Sequence, residues 1–277
     1  MSFTMLRSAV QRCLMAALLL CAAIPAHSDW AKIQQSGTLK VAVYNDFAPF
    51  SDHGAGIDVD LAAALAAKLG LKLSLLPFPA GESVNDDLRN MVWKGHYLGY
   101  GPADVMLHVP VAPELMNQNA QVRIFAPYYV ETLRLAHSAK TVPEYAGLDS
   151  LAGKRLGAEK VSISAMVLLG EGDGRFRDNV HVYDTAADAL HKLQAGELDA
   201  VLANRSEIES VLHDDPAFPL DKVAFQRLPR DGWALGMAVR RDDEDMARRL
   251  QSVINDMKAD GQLQAIFAKY HVMAVQR

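Results

Sequence analysis

The sequence predicts an α/β fold, and the order of strand and helix patterns carries this prediction. Residues 39–43 form a short valine-rich run after Gly37, which is typical of a strand. Residues 58–69 repeat leucine and alanine at helical spacing and are followed by Gly70, a helix stop. Leucines at 71, 73 and 75 then alternate with polar residues, as in a half-buried strand. This βαβ order predicts a parallel sheet flanked by helices.

A weak internal repeat predicts that the chain holds two such units. In the second half, a helical pattern closes at Gly196 and the following strand opens with Asp199. In the first half, a helical pattern closes at Gly95 and the following strand opens with Asp104. The two passages therefore predict two related α/β lobes. The first passage also carries an aromatic insert, residues 96–102, that the second lacks.

Composition limits the classes of protein to consider. The chain has 277 residues, a formal net charge of −5 and 50% hydrophobic residues, which allows one large domain or two small ones. The acidic balance argues against nucleic acid as a partner, because a backbone-binding protein needs a basic surface. With Cys13 and Cys21 as its two cysteines, the chain has no four-cysteine zinc site, and we expect no disulfide framework.

Residues 1–28 have the pattern of a secretory signal peptide. Arg7 and Arg12 precede a short apolar run, and small residues follow Pro25 at a possible cleavage site. We expect cleavage after Ser28, export to the periplasm, and a mature chain without cysteine, which excludes a cysteine nucleophile. The alternative is a lipoprotein signal with Cys21 acylated, but a leucine stands where a small residue is expected before that cysteine.

Four segments in order resemble a known family. They are SGTLKVAVYNDFAPFSDHGAGIDVDLAAALAAKLGLKL, IFAPYYVETLRLA, DSLAGKRLGAEKVSISA and ALGMAVRRDDEDMARRLQSVINDMKADGQLQAIFAKYH, and they span residues 36–271. Together they resemble the periplasmic solute-binding proteins of the polar amino-acid type (family 3). The resemblance implies a type II clamp of two lobes, each a mixed sheet flanked by helices, with two crossover strands as the hinge. Lobe 1 would comprise residues 29–132 plus 235–277, and lobe 2 residues 133–234.

The resemblance implies that a small polar solute binds between the lobes, as is usual at the carboxyl ends of strands in α/β folds. The family's positions, carried over to this chain, give a set of expected ligand-binding residues from both lobes. They are Tyr44, Phe47, His108, Val109 and Val111 in lobe 1, and Ser162, Ser164 and Asn204 in lobe 2.

Both ionic anchors of the family depart from its pattern. The arginine that pairs with a ligand carboxylate falls on Met116, and the aspartate that pairs with the ligand amino group falls on Asn204. A thioether cannot replace a bidentate guanidinium. Arg123 and Arg134 are other candidate cations, but we expect surface roles for both. The departures predict that the chain does not bind ordinary α-amino acids by the usual scheme.

These observations predict a monomeric substrate-binding protein that serves the membrane permease of an ABC importer. We expect no catalytic residue, no metal site and no cofactor. The histidines are scattered without ligand spacing, and no glycine-rich phosphate loop is present. The glycines at 170, 172 and 174 predict a surface turn.

Two alternatives remain open at the level of sequence. LRNMVWKGHYLGYGPADVMLHVPV, followed by APYYVETLRLA, resembles a divergent subgroup encoded with quinoprotein (PQQ) alcohol dehydrogenases, whose members are regarded as accessory proteins. In that case the aromatic insert would contact the dehydrogenase, whereas in a receptor it would form the rim of the cleft or an ordinary packed loop. The second alternative is a cyclohexadienyl dehydratase-like enzyme, in which Glu82, Glu159 and His108 would be the candidate acids and bases.

Overall fold

The computed structural model describes residues 29–225 and 232–274, which form two mixed five-stranded sheets. The predicted signal peptide lies outside these residues. The strands are β1 (Thr38–Tyr44), β2 (Asp46–Phe47), β3 (Ser51–Asp52), β4 (Lys72–Phe78), β5 (Val105–Pro110), β6 (Val122–Glu131), β7 (Leu133–His137), β8 (Leu156–Glu159), β9 (Val180–Tyr183), β10 (Ala200–Asn204), β11 (Leu220–Lys222) and β12 (Trp233–Arg240).

The described helices cover the faces of the two sheets. They are α1 (Asp29–Ser36), α2 (Ile57–Lys68), α3 (Val84–Leu88), α4 (Pro113–Gln118), α5 (Ile163–Gly170), α6 (Ala186–Gln194), α7 (Arg205–Leu212), α8 (Glu244–Ala259) and α9 (Gln262–Lys269). In the described part of the chain, none of them combines the length and the hydropathy that crossing a membrane requires.

The first sheet has the order β4-β1-β5-β12-β6 and confirms the predicted βαβ unit. Strand β1 pairs in parallel with β4 and β5, while β12 runs antiparallel to β5 and β6. Helices α1, α2, α8 and α9 bury their apolar sides on one face of this sheet, and helix α3 covers the other. The two apolar patterns near the end of the chain are thus core packing, as their spacing predicts.

The second sheet has the order β11-β7-β10-β8-β9. Strands β8, β9 and β10 are parallel, whereas β7 and β11 are antiparallel to their neighbours. Helix α5 packs on one face, and helices α6 and α7 pack on the other. The repeat in the sequence corresponds to elements of the structure. Helix α6 and strand β10 take the same places in the second sheet as the helical segment 84–93 and strand β5 take in the first.

The chain passes between the sheets at adjacent points. Strand β6 ends at Glu131 and β7 begins at Leu133, so Thr132 alone separates them. The return strand β12 begins with Trp233, which pairs with Glu131 in the first sheet. The strand assignments therefore place Trp233 and Ala234 in the first sheet. We propose the two-lobe division on this basis, with "lobe 1" and "lobe 2" denoting the first and second sheets with their helices.

The end of the chain adds a further contact between the lobes. The backbone N–H of Met273 donates to the Glu209 carboxylate on helix α7, at 2.8 Å. The His271 ring stacks on His213, which caps the same helix, with ring centroids 3.9 Å apart. The C-terminal segment packs on lobe 1 through Val272, and so it ties helix α7 to that lobe.

The aromatic insert differs from a simple helix–glycine–strand passage. The predicted helix around residues 88–93 continues from α3 into a π-helical turn, Arg89–Trp93. The insert folds back on this turn, and the Ala103 N–H donates to the Met91 carbonyl at 2.8 Å. Gly101 has a φ of +70°, and a Cβ there would lie 2.7 Å from the Asn90 carbonyl oxygen. The close return of the chain therefore requires glycine at this position.

Candidate functional site

A cavity of about 460 Å³ lies between the two sheets, at the carboxyl ends of several strands. This volume is in the range of small-molecule sites. Six of the eight predicted ligand-binding residues line it, three from each lobe: Tyr44, Phe47, His108, Ser162, Ser164 and Asn204. Their convergence follows from topology, because β1, β5, β8 and β10 all direct their carboxyl ends to this place.

The other two predicted residues do not line the cavity. Val109 is fully buried in the core on the side of the first sheet that helix α3 covers. It follows His108 in strand β5, and successive side chains of a strand point to opposite faces. Val111 is partly buried and packs against the same core. Between them, Pro110 lines the cavity instead.

His108 reaches the cavity through an unusual backbone conformation. Its φ is +61°, and the pairing of β5 with β12 shifts register here, between Gly236 and Ala238. A bulge of this kind re-aims a side chain, and a positive φ in a non-glycine residue carries a cost. The structure offsets that cost with polar contacts. The His108 N–H donates to the Tyr128 hydroxyl at 2.9 Å, and Nδ1 lies 3.1 Å from the Asp58 carboxylate.

Asp58 completes a buried triangle of hydrogen bonds. The Tyr128 hydroxyl donates to Asp58 Oδ1 at 2.7 Å, and both residues are only 1% exposed. Aromatic rings enclose the imidazole, with Phe50 and Phe47 at centroid distances of 4.3 Å and 4.8 Å. Burial, followed by the nearby Asp58 charge, raises the pKa of Tyr128 well above its ordinary value, so this phenol stays a donor to Asp58.

Carboxyl groups dominate the polar lining. Five acids line the cavity: Glu82, Asp87, Glu131, Glu159 and Glu207. Of these, only Glu82 and Glu159 are candidate site residues from the sequence. In the described ranges, 29–225 and 232–274, no lysine or arginine side chain lines it. Arg123 pairs instead with Glu244 at 3.2 Å, and Arg134 donates to the Leu133 carbonyl at 3.2 Å.

Burial raises the pKa of four of the lining acids, Asp87, Glu131, Glu159 and Glu207. It is the largest cause of a raised pKa at Asp87, at Glu131 and at Glu159. Burial, followed by the neighbouring charge of Glu159, raises the pKa of Glu207 to about 8. A buried carboxyl without a compensating cation behaves in this way.

Asp87 and Glu207 are not predicted from the sequence, and local hydrogen bonds hold each of them at the cavity. Asp87 accepts from the Tyr44 hydroxyl at 3.0 Å and from the Gly81 N–H at 2.8 Å, and thereby fixes the Tyr44 ring at the wall. Glu207 forms a capping box with Asn204 at the start of helix α7. The pattern Asn-x-x-Glu before an apolar helix is the one signal that could have found it.

The residues that replace the family's anchors lie in different places. Met116 is on helix α4, packs against the core beside Leu115 and does not line the cavity. Asn204 does line the cavity, where its side chain caps helix α7. The aromatic insert contributes nothing to the lining. The receptor alternative that placed it at the cleft rim is therefore corrected, because the insert packs back on the π-helical turn.

Three acidic or histidine side chains, Asp46, Asp52 and His53, form the one cluster in the described ranges that has the spacing of a metal site. All three are exposed, and none lines the cavity. We propose no metal there.

Comparison with known proteins gives relatives along most of the chain. The L-cystine-binding protein TcyJ of Escherichia coli is 25% identical over 248 residues, which is 86% of this chain and 84% of that protein. The ABC transporter arginine-binding protein 1 of Escherichia coli is 24% identical over 79% of this chain and 85% of its own length. The chain is therefore similar over most of its length to curated amino-acid-binding proteins.

Solved structures agree with the fold of the chain. An ancestral cationic amino acid solute-binding protein, AncCDT-1, superposes with a TM-score of 0.69 at 20% identity and covers 88% of this chain and 100% of its own. The α/β fold with two mixed sheets is thus that of the type II periplasmic binding proteins, as the sequence predicts. A scan against protein-family models found no match.

The Asp58 triangle gives a first prediction. Removing the Tyr128 hydroxyl in Tyr128→Phe leaves the Asp58 carboxylate and the His108 N–H short of a partner, and we expect a loss of about 1–3 kcal/mol in the free energy of unfolding. Tyr129→Phe is the matched control, because the Tyr129 hydroxyl is buried with no hydrogen-bond partner in the described part of the chain. It should change stability by less than about 0.5 kcal/mol. Urea unfolding of both variants measures this, and equal effects would contradict the assignment.

The raised pKa of Glu207 gives a second prediction. Between pH 4.5, the ordinary value, and pH 8, the unfolded carboxyl ionises while the folded one stays protonated. The free energy of unfolding therefore falls as pH rises, by at most about 1.4 kcal/mol per pH unit for one group. Glu207→Gln keeps an acceptor for the capping box and removes the titration.

We therefore expect the stability of Glu207→Gln, relative to wild type, to rise from pH 5 to pH 8. Urea unfolding at both values measures the difference. The control is Asp178→Asn, which removes an exposed carboxylate outside the cavity and should show no such trend. If the free energy of unfolding of Glu207→Gln differs from that of wild type by the same amount at both pH values, the raised pKa of Glu207 is refuted.

Proposed function

We propose that the chain is the substrate-binding protein of an ABC-type importer and captures a small polar solute between its lobes. The observation that carries this proposal is the cavity itself, since both lobes contribute to its lining and the crossover strands run beside it. A hinge of two adjacent strands permits the lobes to close on a solute. The curated relatives are named as binding proteins for L-cystine and arginine, which supports transport as the role.

The solute is not an ordinary α-amino acid held by the family's usual ion pairs. A ligand carboxylate would need a cation at the wall, and Met116, at the position of the usual arginine, is partly buried against the core and does not line the cavity. A buried charge left without its partner costs on the order of 3–5 kcal/mol. Asn204 also lacks the charge that would hold a ligand amino group. We propose Tyr44, Phe47, His108, Ser162, Ser164 and Asn204 as the contact residues.

Calorimetric titration of the mature chain, residues 29–277, with the common amino acids tests this proposal. We expect no amino acid to bind more tightly than about 100 μM, because an unpaired carboxylate removes three or more kcal/mol from the binding energy. A thermal-shift screen of small polar solutes is the positive arm, since a ligand of the folded state raises the unfolding temperature. Micromolar binding of a common amino acid would overturn the argument from the missing ionic anchors. If no solute in the screen raises the unfolding temperature, the receptor proposal fails.

A second candidate function is the accessory protein of a periplasmic quinoprotein alcohol dehydrogenase. The observation that favours it is the aromatic insert, where Tyr97 is 87% exposed and Leu98 is 67% exposed. Exposed large apolar side chains are common at protein interfaces. Tyr100, by contrast, stacks on His96 with ring centroids 4.2 Å apart and packs inward.

Co-purification with a quinoprotein dehydrogenase tests this candidate. Tyr97→Ala should weaken the association at least tenfold and leave solute binding unchanged, because Tyr97 is exposed and outside the cavity. Met273→Ala, which removes another exposed apolar side chain, is the control. If wild type does not associate with the dehydrogenase, or if Tyr97→Ala associates equally well, the accessory role fails.

The cavity gives less support to a dehydratase. Glu82, Glu159 and His108 do line it together. However, prephenate and arogenate carry carboxylates, and the described lining holds no lysine or arginine to pair with them. We therefore do not propose this activity.

A further inference from the structure

The polar atoms that His108 presents to the cavity accept hydrogen bonds. The Tyr128 hydroxyl accepts from the His108 backbone N–H and so directs its own proton to Asp58 Oδ1. The other Asp58 oxygen faces His108 Nδ1, which must supply the proton of that contact to a carboxylate. In the neutral ring this leaves Nε2 as an acceptor, and His108 is one of the residues that line the cavity.

Each helix N-terminus of lobe 2 already has a hydrogen-bond acceptor from this chain. The N-terminus of a helix attracts anions, and three helices of lobe 2 begin at the cavity wall. At helix α5, the Ser162 hydroxyl accepts from the Ala165 N–H at 3.1 Å. At helix α6, the Glu159 carboxylate accepts from the Ala186 N–H at 3.2 Å. At helix α7, the Glu207 carboxylate accepts from the Asn204 N–H at 2.9 Å.

Two of those three caps are carboxyl groups of residues that also line the cavity. A ligand carboxylate brought to helix α6 or α7 would meet Glu159 or Glu207 rather than free N–H groups. The chain's own acids thus occupy the places where an anion would bind. Asp87 and Glu131 add carboxyls on the other side, and both are less than 5% exposed.

Aromatic side chains complete the wall. Tyr44 and Phe47 lie with ring centroids 5.7 Å apart, and Phe47 is 37% exposed toward solvent. Trp233 lines the cavity from the start of strand β12. Aromatic faces attract organic cations, and more strongly when the cation is shielded from water. Acceptors and aromatic faces both favour a ligand with positive charge and N–H donors.

We propose that the cleft selects small organic cations that carry amine, amidine or guanidine groups and no carboxylate. This inference rests on the proposed function, since it names the solute class of the same cavity. The ligand's N–H groups would donate to Glu159, Glu207 and His108 Nε2, while its alkyl or ring portion would lie against Tyr44 and Phe47. A bound cation also supplies the positive charge that the buried acids lack.

Matched pairs of probes test this selection. Each pair is a common amino acid and the amine left when its carboxylate is removed: arginine and agmatine, histidine and histamine, lysine and cadaverine. Calorimetric titration of residues 29–277 at pH 8 and low salt gives both affinities. We expect at least one amine to bind at least tenfold more tightly than its amino acid, because only the amino acid brings a carboxylate near the acidic wall. Glutarate and glucose serve as anionic and neutral probes.

Charge-neutral variants locate the contact. Glu159→Gln keeps an oxygen for the Ala186 N–H and should weaken binding of the preferred amine at least tenfold. Asp178→Asn lowers the net negative charge by the same amount at an exposed site outside the cavity. It should change the affinity by less than twofold. Circular dichroism and the unfolding midpoint confirm that each variant is folded before binding is compared.

The outcomes separate this inference from the receptor proposal. Equal or tighter binding of the amino acids, or binding of glutarate or glucose alone, overturns the cation inference and leaves a solute receptor standing. If Glu159→Gln and Asp178→Asn weaken binding of the amine equally, Glu159 is not a contact residue, because the effect would come from the overall charge of the protein. If none of these probes and no solute in the thermal-shift screen binds, both proposals fail.

Discussion

The buried carboxyl of Glu131 is the contact on which the arrangement of the two lobes depends. It ends the last strand before the crossover and accepts from the Thr132 N–H at 2.9 Å. It also accepts from the backbone N–H of Ser206 at 3.4 Å and from the Ser206 hydroxyl. Helix α7 is thereby fixed against the crossover. The corner of the cavity that Asn204 and Glu207 form takes its position from this contact. Burying an acid costs free energy, and the three donors offset that cost.

The cavity has the position and size typical of small-molecule sites, and the charged side chains in its described lining are mainly acids. Strand ends, helix N-termini and aromatic side chains converge between the lobes, as they do in a fold made to enclose a small molecule. The polar groups, however, are mostly acceptors, and Glu159 and Glu207 serve two roles at once. Each caps a helix and each presents a carboxyl to the cavity. The stability of each helix start is therefore coupled to the charge that a ligand meets, because the same side chain caps the helix and lines the cavity.

Much of the fold follows from local patterns in the sequence. The alternating leucines after Gly70 predict β4, and the glycine stop and acidic start of the second repeat predict α6 and β10. Tyr44 ends strand β1 and His108 lies near the carboxyl end of β5, so the order of the strands brings these two positions to the same edge of the sheet. Asn204 ends strand β10 and lines the cavity for the same reason.

The remaining features depend on contacts that join distant parts of the chain. His108 turns into the cavity because Tyr128 and Asp58 hold its strained backbone and ring, and these residues are 20 and 50 positions away. Val109 and Val111 are expected from the family's positions, but both pack against the core on the side of the first sheet that helix α3 covers, and neither lines the cavity. The π-helical turn before the aromatic insert likewise has no local signal. The Met91 carbonyl of this turn accepts from the Ala103 N–H, which comes from beyond the insert.

Helix α7 also links two distant places. Its first turn lies at the cavity, and its last turn contacts the C-terminal segment through His213 and Glu209. Eight residues of α-helix form a rod about 12 Å long. A displacement at the cavity end of a rigid rod is carried to its other end. One short helix therefore spans the distance from the cavity wall to the C-terminal segment, so the two places share one rigid element.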